Sequence, residues 1–529
     1  AQPMASADSA LQIVFNGEIY NYRALRQQLI ADGAVFVSHS DTEVLLHLYA
    51  RKGPAMLDDL RGMFAFSIWD ERRKGLFLAR DPYGIKPLYF ADDGRTIRVA
   101  SQVKALLAGG DIDTAPAPAG HAGFFLLGYV PEPWTLYRGI ESLPAGGSLW
   151  IDSSGRGEPR RWFNLTRELS EAAAAPFDRE LLDEALRDSV RHHLIADVPV
   201  GLFLSSGLDS ATLVALATEI KGTSLRTVTL GFDEYLSSPD DEVPLAEEIA
   251  RAYGTQHSTH RINAGDFRDN AEKLFAAMDQ PSIDGVNTYF VSKATHEAGL
   301  KVALSGLGGD ELFGGYDNFR QIPKLVRGLS AFRLLPGLGR ALRWASAPAV
   351  SQMISPKYAG LLEYGTSHGD AYLLHRALYM PWELPNVLDP DLARAGWAEI
   401  APRIRLGDEG LSSSRAKIST LESAWYMRNQ LLRDADWAGM AHSLEIRTPL
   451  VDATLLRRLA PWIAGAHPPG KLDMAATPAT PLPDDVLNRA KTGFAVPIRS
   501  WLAERSGQDL GERGLRGWAQ SVYRAQWNG

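Results

Sequence analysis

Cysteine is absent from all 529 residues. That excludes disulfides, thiolate metal sites and a cysteine nucleophile from any chemistry these residues perform. Also missing is any apolar run of the length a membrane span needs. The chain shows no signal-peptide pattern, so the expectation is a cytoplasmic protein with no membrane partner. Positive charge is not in excess: 55 Lys and Arg stand against 63 Asp and Glu, a net charge of −8. Nucleic-acid binding, whose electrostatic footprint is a basic face, is therefore not expected. The 12 His residues show no HExxH or comparable ligand spacing, and the pair His192–His193 reads as helix surface. What is present is ordinary for a globular chain, 45% hydrophobic and 22% charged, and the length predicts about two to four domains.

Residues 1–167 read as an α+β region rich in antiparallel sheet. LQIVF (11–15) is a strand, and YRALRQQLIADG is an amphipathic helix closed by Gly33. Ser40 and Glu43 have capping-box spacing, which places Asp41 at a helix start. MFAFSIWDERRKGLFLAR and KPLYFADDGRTIRVAS read as successive hairpins, and Asn16–Gly17 has the composition of a hairpin turn. ELSEAAAAPFD (168–178) reads as a linker. The rhythm then changes: VPVGLFL, LRTVTLGF and LKVALSG are buried strands, separated by helical segments such as DDEVPLAEEIARAYG and NTYFVSKATHEAG. That alternation predicts an α/β domain over 168–529 with a parallel sheet, in which ligands bind at the carboxyl ends of the strands. Beyond about residue 315 the chain is largely helical, and beyond 505 it is polar and carries no signal.

Two loops stand out. Ser205-Ser206-Gly207-Leu208-Asp209-Ser210 puts hydroxyls, a flexible Gly and one carboxylate on the turn from a buried strand to a helix. A helix N-terminus offers free N–H donors and a positive dipole end, which suit a pyrophosphate, and the carboxylate suits a magnesium ion bound to it. The loop is neither a Walker A sequence nor GxGxxG. SGLGGDELFGGY (305–316) follows another parallel-type strand and brings a second acidic pair, Asp310-Glu311. Two such loops on one sheet would place Asp209 and Asp310 on either side of one metal–triphosphate.

LSSGLDSA resembles the SGGxDS pyrophosphate loop of the ATP-pyrophosphatase (PP-loop) family, and with SGLGGDELFGGY it resembles the asparagine synthetase B family. The likeness continues in FNGEIYNY, SDTEVLLHLY, RGMFAFSIWD and ARDPYGIKPLYF, and in YMRNQLLRDADWAGMAHSLEIRTPLVD and LNRAKTGFAVPIRSWL. It implies a class II glutamine amidotransferase domain over 1–167, with the four-layer αββα fold of N-terminal nucleophile hydrolases, and an ATP-pyrophosphatase domain over 168–529. By the same resemblance, Ser205, Ser206, Gly207, Asp209 and Ser210 would hold the phosphates that leave as pyrophosphate. Leu204 and Leu230 would lie along the adenosine, with Ser305 and Gly306 beside it. Asp209 and Asp310 would hold Mg²⁺, and Lys491 would face the α-phosphate. Asn16 and Gly17 would form the glutaminase oxyanion hole, with Glu18 and Asp41 on the glutamine amino group. ATP and Mg²⁺ are the implied cofactors, and a homodimer the implied assembly.

Three departures accompany the likeness. The family's glutaminase uses an N-terminal Cys, and AQPM matches the segment just ahead of FNGEIYN; the expectation is that the Cys, the first strands and a glutamine-binding Arg loop precede Ala1 in the natural protein. Leu307 occupies the place of a Glu in the best-known asparagine synthetases, and a leucine accepts no proton and binds no amine. Ser206 stands for the usual second Gly. The leading expectation is ATP-dependent synthesis of asparagine from aspartate, with glutamine or ammonia as nitrogen donor and AMP and pyrophosphate as products. Leu307, Glu445 and Arg447 are the acceptor-site candidates. An alternative keeps the adenylation and changes the acceptor to another carboxylate, such as a natural product, a peptide or a sugar acid. A remote one is a non-catalytic regulator built on a decayed synthetase.

Overall fold

The structure is a computed structural model, and it describes residues 2–222, 224–334, 336–353, 355–407, 410–489, 496–498, 500–501 and 515–527. In the N-terminal region, strand Leu11–Ile19 pairs antiparallel with Gly62–Asp70, that with Gly75–Arg80, and that with Gly147–Asp152. These form the body of a seven-stranded sheet. Alternate residues point to opposite faces of a strand. Ile13, Phe15, Phe64, Phe66 and Ile68 accordingly share a core with Leu25 and Leu29 of helix Tyr22–Ala31 and Val44 and Leu48 of helix Asp41–Lys52. From the other face, Ala65, Leu78 and Leu149 pack against Phe90. Phe90 lies on Tyr89–Asp92, the middle strand of a three-stranded sheet. Tyr89 and Ala91 turn the opposite way, toward Val103 and Leu106 of helix Val103–Ala108. The layers therefore run helix, sheet, sheet, helix, as the resemblance implies.

Two local readings are corrected. Asn16–Gly17 is not a hairpin turn: both residues lie inside the Leu11–Ile19 strand, opposite Ala65 and Phe64. Gly17 has φ 146°, and a Cβ there would sit 2.1 Å from the Met63 carbonyl oxygen. The glycine is needed for close approach of two strands, not for chain reversal. At the Asp41–Lys52 helix, the Ser40 Oγ accepts from the Thr42 N–H at 3.1 Å. Glu43 does not return the bond to Ser40; it reaches further back and accepts from the Val37 and Ser38 N–H groups at 2.8 and 2.7 Å.

The C-terminal region carries a five-stranded, all-parallel sheet in the order Gln256–Ile262, Arg226–Phe232, Val200–Phe203, Val302–Leu304, Glu445–Arg447. The three inner strands are the three read from sequence, because only they are covered on both faces and run continuously apolar. The outer two escape that test: one reads QHSTHRI, and the other has three residues.

The segment read as a linker begins helical, in Leu165–Glu171, and Leu165 and Leu169 are buried with Leu182 and Leu186 of the following helix. His193 is not on a surface. It is 1% exposed, its Nδ1 lies 2.8 Å from the Ser189 carbonyl oxygen, and burial pulls its pKa down to about 4. The polar tail also carries structure, since helix Arg516–Trp527 buries Trp518 and Val522. The Trp518 indole N–H donates to the Ile283 carbonyl at 3.0 Å. Two apolar residues four apart are too narrow a stripe to stand out in a polar sequence. Among the described residues no helix is long and apolar enough to cross a membrane.

Candidate active site

At the end of strand Val200–Phe203 the chain passes through Leu204–Gly207 into helix Leu208–Lys221. The Ser205 and Ser210 hydroxyls lie 2.9 Å apart, and Ser205 Oγ accepts from the Gly207 N–H at 3.2 Å. The turn is thus a compact, hydroxyl-rich mouth over a helix N-terminus. The second loop leaves strand Val302–Leu304 and enters helix Gly309–Phe313. It lies directly on the first. A Cβ on Gly309 would be 2.4 Å from Asp209 Oδ1, and one on Gly306 would be 2.9 Å from Asp209 Cβ. Only hydrogen-sized side chains allow this approach, which brings Asp310 opposite Asp209.

Between the two carboxylates stands Lys471, the first residue of helix Lys471–Ala475. Its Nζ is 2.7 Å from Asp310 Oδ1 and bonds both carboxylate oxygens of Asp209. Burial alone would push this ammonium down, but Asp209 and Asp310 outweigh it and hold its pKa above the ordinary lysine value. Sequence reasoning missed Lys471. The available signal is electrostatic: a lysine opening a helix opposes the helix dipole and calls for a local anionic reason.

The two loops open into one cavity of ≈ 490 Å³, within the size range of small-molecule and cofactor sites. The structure brings together Leu204, Ser205, Ser206, Gly207, Asp209, Ser210, Leu230, Ser305, Gly306, Leu307 and Asp310, all lining it. Glu242 and Arg489 also line it and were likewise missed. The Arg489 guanidinium bonds Ser206 Oγ. Burial raises the pKa of Glu242, against the opposing pull of Arg489. Ser206 is therefore engaged by its hydroxyl rather than merely tolerated in place of glycine. Lys491 lies outside the described residues. The far wall is closed by helix Val286–Glu297 and by an 11-residue π-helix, Glu422–Leu432, which supplies Tyr426 and Leu431 to the cavity. Wide helices of this kind are rare and gather at functional sites.

The N-terminal candidates form a separate group. Asn16, Gly17 and Glu18 are consecutive on the Leu11–Ile19 strand, and Asp41 Oδ2 accepts from the Ile19 N–H at 3.1 Å. Burial, with Asp41 adding and Arg447 opposing, raises Glu18 to about 7. Asp41 is also raised by burial, although it is held by backbone N–H bonds. Glu445 and Arg447 do not line the cavity, whereas Ile446 between them does. Arg447, 2% exposed, points instead to this group, with ion pairs of 3.3 Å to Glu18 and 2.7 Å to Glu445. It also donates to the His193 carbonyl at 3.1 Å. Its own carbonyl accepts from the Ser305 N–H at 2.8 Å. One residue thus touches the N-terminal group by its side chain and the second cavity loop by its backbone.

No group of three or more His, Asp or Glu suited to a metal occurs among the described residues. Asp209 and Asp310 are the two hard oxygen donors that converge.

Comparison with known proteins matches residues 181–522 to the asparagine synthase family and residues 1–163 to the glutamine amidotransferase domain. Asparagine synthetase (glutamine-hydrolyzing) 1 of Bacillus subtilis is 33% identical over 509 residues, 95% of this chain and 78% of that protein. Asparagine synthetase B (glutamine-hydrolyzing) of Escherichia coli is 33% identical over 343 residues, 61% of this chain and 55% of that protein. Amidase chry2 of Gibberella zeae is 30% identical over 342 residues, 60% of this chain and 49% of that protein.

Proposed function

This chain belongs to the asparagine synthase family, and from that premise we propose that it is a carbon–nitrogen ligase that activates a carboxylate with ATP and converts the acyl-adenylate to an amide. Glutamine or ammonia supplies the nitrogen, and aspartate is the acceptor that the family reading names first. The observation that carries the proposal is the convergence of Asp209, Asp310 and Lys471 over the N-terminus of helix Leu208–Lys221.

In the first step an acceptor carboxylate oxygen attacks the α-phosphorus, the bond to the β-phosphate oxygen breaks, and pyrophosphate leaves. Ammonia then attacks the acyl carbon, loses a proton and displaces AMP. Ser205, Ser206, Gly207 and Ser210 hold the leaving phosphates with backbone and hydroxyl donors. Leu204 and Leu230 lie along the adenosine, with Ser305 and Gly306 beside it. Lys471 provides a fixed cation where charge builds in the transition state, which is the arrangement that lowers such a barrier most. Lys491 is kept as a second candidate for the α-phosphate. Asp209 and Asp310 suit magnesium by their donor chemistry, two converging carboxylates that would share their charge between the ion and Lys471. Bound with the nucleotide, magnesium would neutralise charge on the departing pyrophosphate.

For glutamine, Asn16 and Gly17 are the proposed oxyanion donors, and Glu18 and Asp41 the acceptors of its amino group. The 529 residues contain no cysteine to act as their nucleophile, so the test uses ammonium. A second reading, a carboxylate other than aspartate, is favoured by Leu307, which packs on Ala435 and Ile446 in the cavity wall.

The test is incubation of the chain with Mg-ATP, ammonium and aspartate, following AMP, pyrophosphate and asparagine by mass spectrometry. Asparagine formed in step with AMP supports aspartate as acceptor. AMP formed only with other carboxylates supports the second reading. No AMP with any carboxylate overturns the ligase itself.

A further inference from the structure

Leu307 and Glu311 of the second loop line one end of the cavity together with residues of the helices that close its far wall, and this lining is uneven. Part of it is apolar: Leu307 packs on the cluster that holds Ala435 and Ile446, and Val291 and Leu431 also line the cavity. Two further carboxylates, Asp284 and Glu311, line the same cavity. Glu311 is 2% exposed; its Oε1 accepts from the Tyr316 hydroxyl at 2.9 Å, and its Oε2 has no hydrogen-bond partner among the described residues. Asp284 Oδ1 accepts the neighbouring Gly285 N–H at 3.0 Å. Tyr426 lines the same cavity, and its phenol is raised by burial first and then by Asp284 and Glu311, with Arg376 opposing.

The cations lining the cavity among the described residues are Lys471 and Arg489. Lys471 bonds Asp209 and Asp310, and Arg489 bonds Ser206, so both serve the phosphate end. A buried carboxylate oxygen without a donor is costly, and a ligand donor relieves that cost. A second anionic group placed there would meet like charge with no further counter-ion among the described lining residues, which is strongly unfavourable in a buried site. The apolar wall, by contrast, gains from hydrocarbon laid against it.

We infer that this end of the cavity is the acceptor subsite for an aliphatic amino acid with a single carboxylate: the amino group bonds Glu311 and Asp284, and the hydrocarbon body lies on Leu307, Val291 and Leu431. This rests on the ligase reading above and follows the same bond changes. The amine replaces the missing partner of Glu311 Oε2, while a dicarboxylate such as aspartate is disfavoured.

The test uses the full chain with Mg-ATP and ammonium and a panel of acids: leucine, 5-aminovalerate, their N-acetyl derivatives, aspartate and succinate. AMP and pyrophosphate are the readouts. The free amino monocarboxylates are expected to drive AMP formation at least about tenfold faster than their N-acetyl forms or either dicarboxylate, since a site built around a donor rejects the analogue lacking it. Glu311→Gln is expected to bring the ratio of free to N-acetylated acid toward unity with unchanged equilibrium binding of ATP. Asp284→Asn repeats the test should the first variant fold poorly. A wild-type preference for aspartate, or equal rates with free and N-acetylated acids, overturns the inference and leaves the ligase standing. No AMP from any acid, with ATP still bound, overturns the ligase reading and the inference with it.

Discussion

The ATP-sized cavity lies where parallel strands end and the chain turns into helices, so its backbone donors and hydroxyls are not consumed by a sheet. Asn16, Gly17 and Glu18 lie inside a strand that pairs antiparallel with Gly62–Asp70, and Asp41 opens the helix beside it. The first site draws its capacity from loop termini and can be assembled by the C-terminal sheet alone. In the second, one of the carboxylates is paired with Arg447, a residue of that other sheet. The difference teaches that the cavity takes its described lining from residues 203–489 alone, whereas the N-terminal group takes its counter-ion from outside its own region.

Replacing a phosphate-site carboxylate should separate the two sites most sharply. Asp209→Ala is expected to lower ammonia-dependent pyrophosphate release by about 10³-fold, the scale of losing a preorganised charged group. Asn16→Ala should leave that rate within about twofold, since it belongs to the other site. Equal losses in both variants would break the comparison. The dependence of the N-terminal group on Arg447 is checked by Arg447→Met, which strands Glu18 and Glu445 without their counter-ion. Urea unfolding should show a loss of about 4 kcal/mol, the usual result of removing one partner of a buried ion pair. Adding Glu18→Gln should recover part of that loss, and strict additivity would show that the contact carries no energy.

His193 offers a check on the same interface by pH. Its native pKa of about 4 lies below the unfolded value of 6.5, so the unfolded chain takes up a proton first. Stability from this group is full above pH 6.5 and falls as pH drops, by about 3 kcal/mol when pH 4 is reached. The His193→Phe variant should lack that component of the unfolding profile. The smallest expected effect is at Ser206, where Ser206→Gly removes the hydroxyl bonded by Arg489. It should weaken ATP binding by about fivefold, near 1 kcal/mol, as read by equilibrium titration.

The cavity was largely legible because its parts are local: a strand, a turn and a helix written consecutively at 200–221 and again at 302–313. Asp209 and Asp310 could be placed on one mouth by topology, and the family resemblance set Leu204 and Gly306 beside them. Lys471 and Arg489 could not. They reach the cavity from segments more than 150 residues away, and nothing in PPGKLD or LNRAK encodes that arrival. Arg447 was misplaced for a related reason: a three-residue strand shows no periodicity, and its alternation sends Ile446 to the cavity and Arg447 to the opposite domain. Gly17 read as a turn because composition does not distinguish a reversal from a close strand crossing. His193 read as exposed because its burial depends on Tyr20, whose ring lies 4.2 Å away in the other region.

The π-helix at Glu422–Leu432 runs without a break between helices Ser414–Leu421 and Arg433–Met440. Its ladder is one residue wider per turn than that of an α-helix, so deletion of a single residue would let it tighten rather than snap. The rod would stay continuous while one flank rotated by about 100° against the other. Tyr426 would leave the cavity and a neighbour would take its place. The number of residues in this segment therefore sets which side chain faces the cavity.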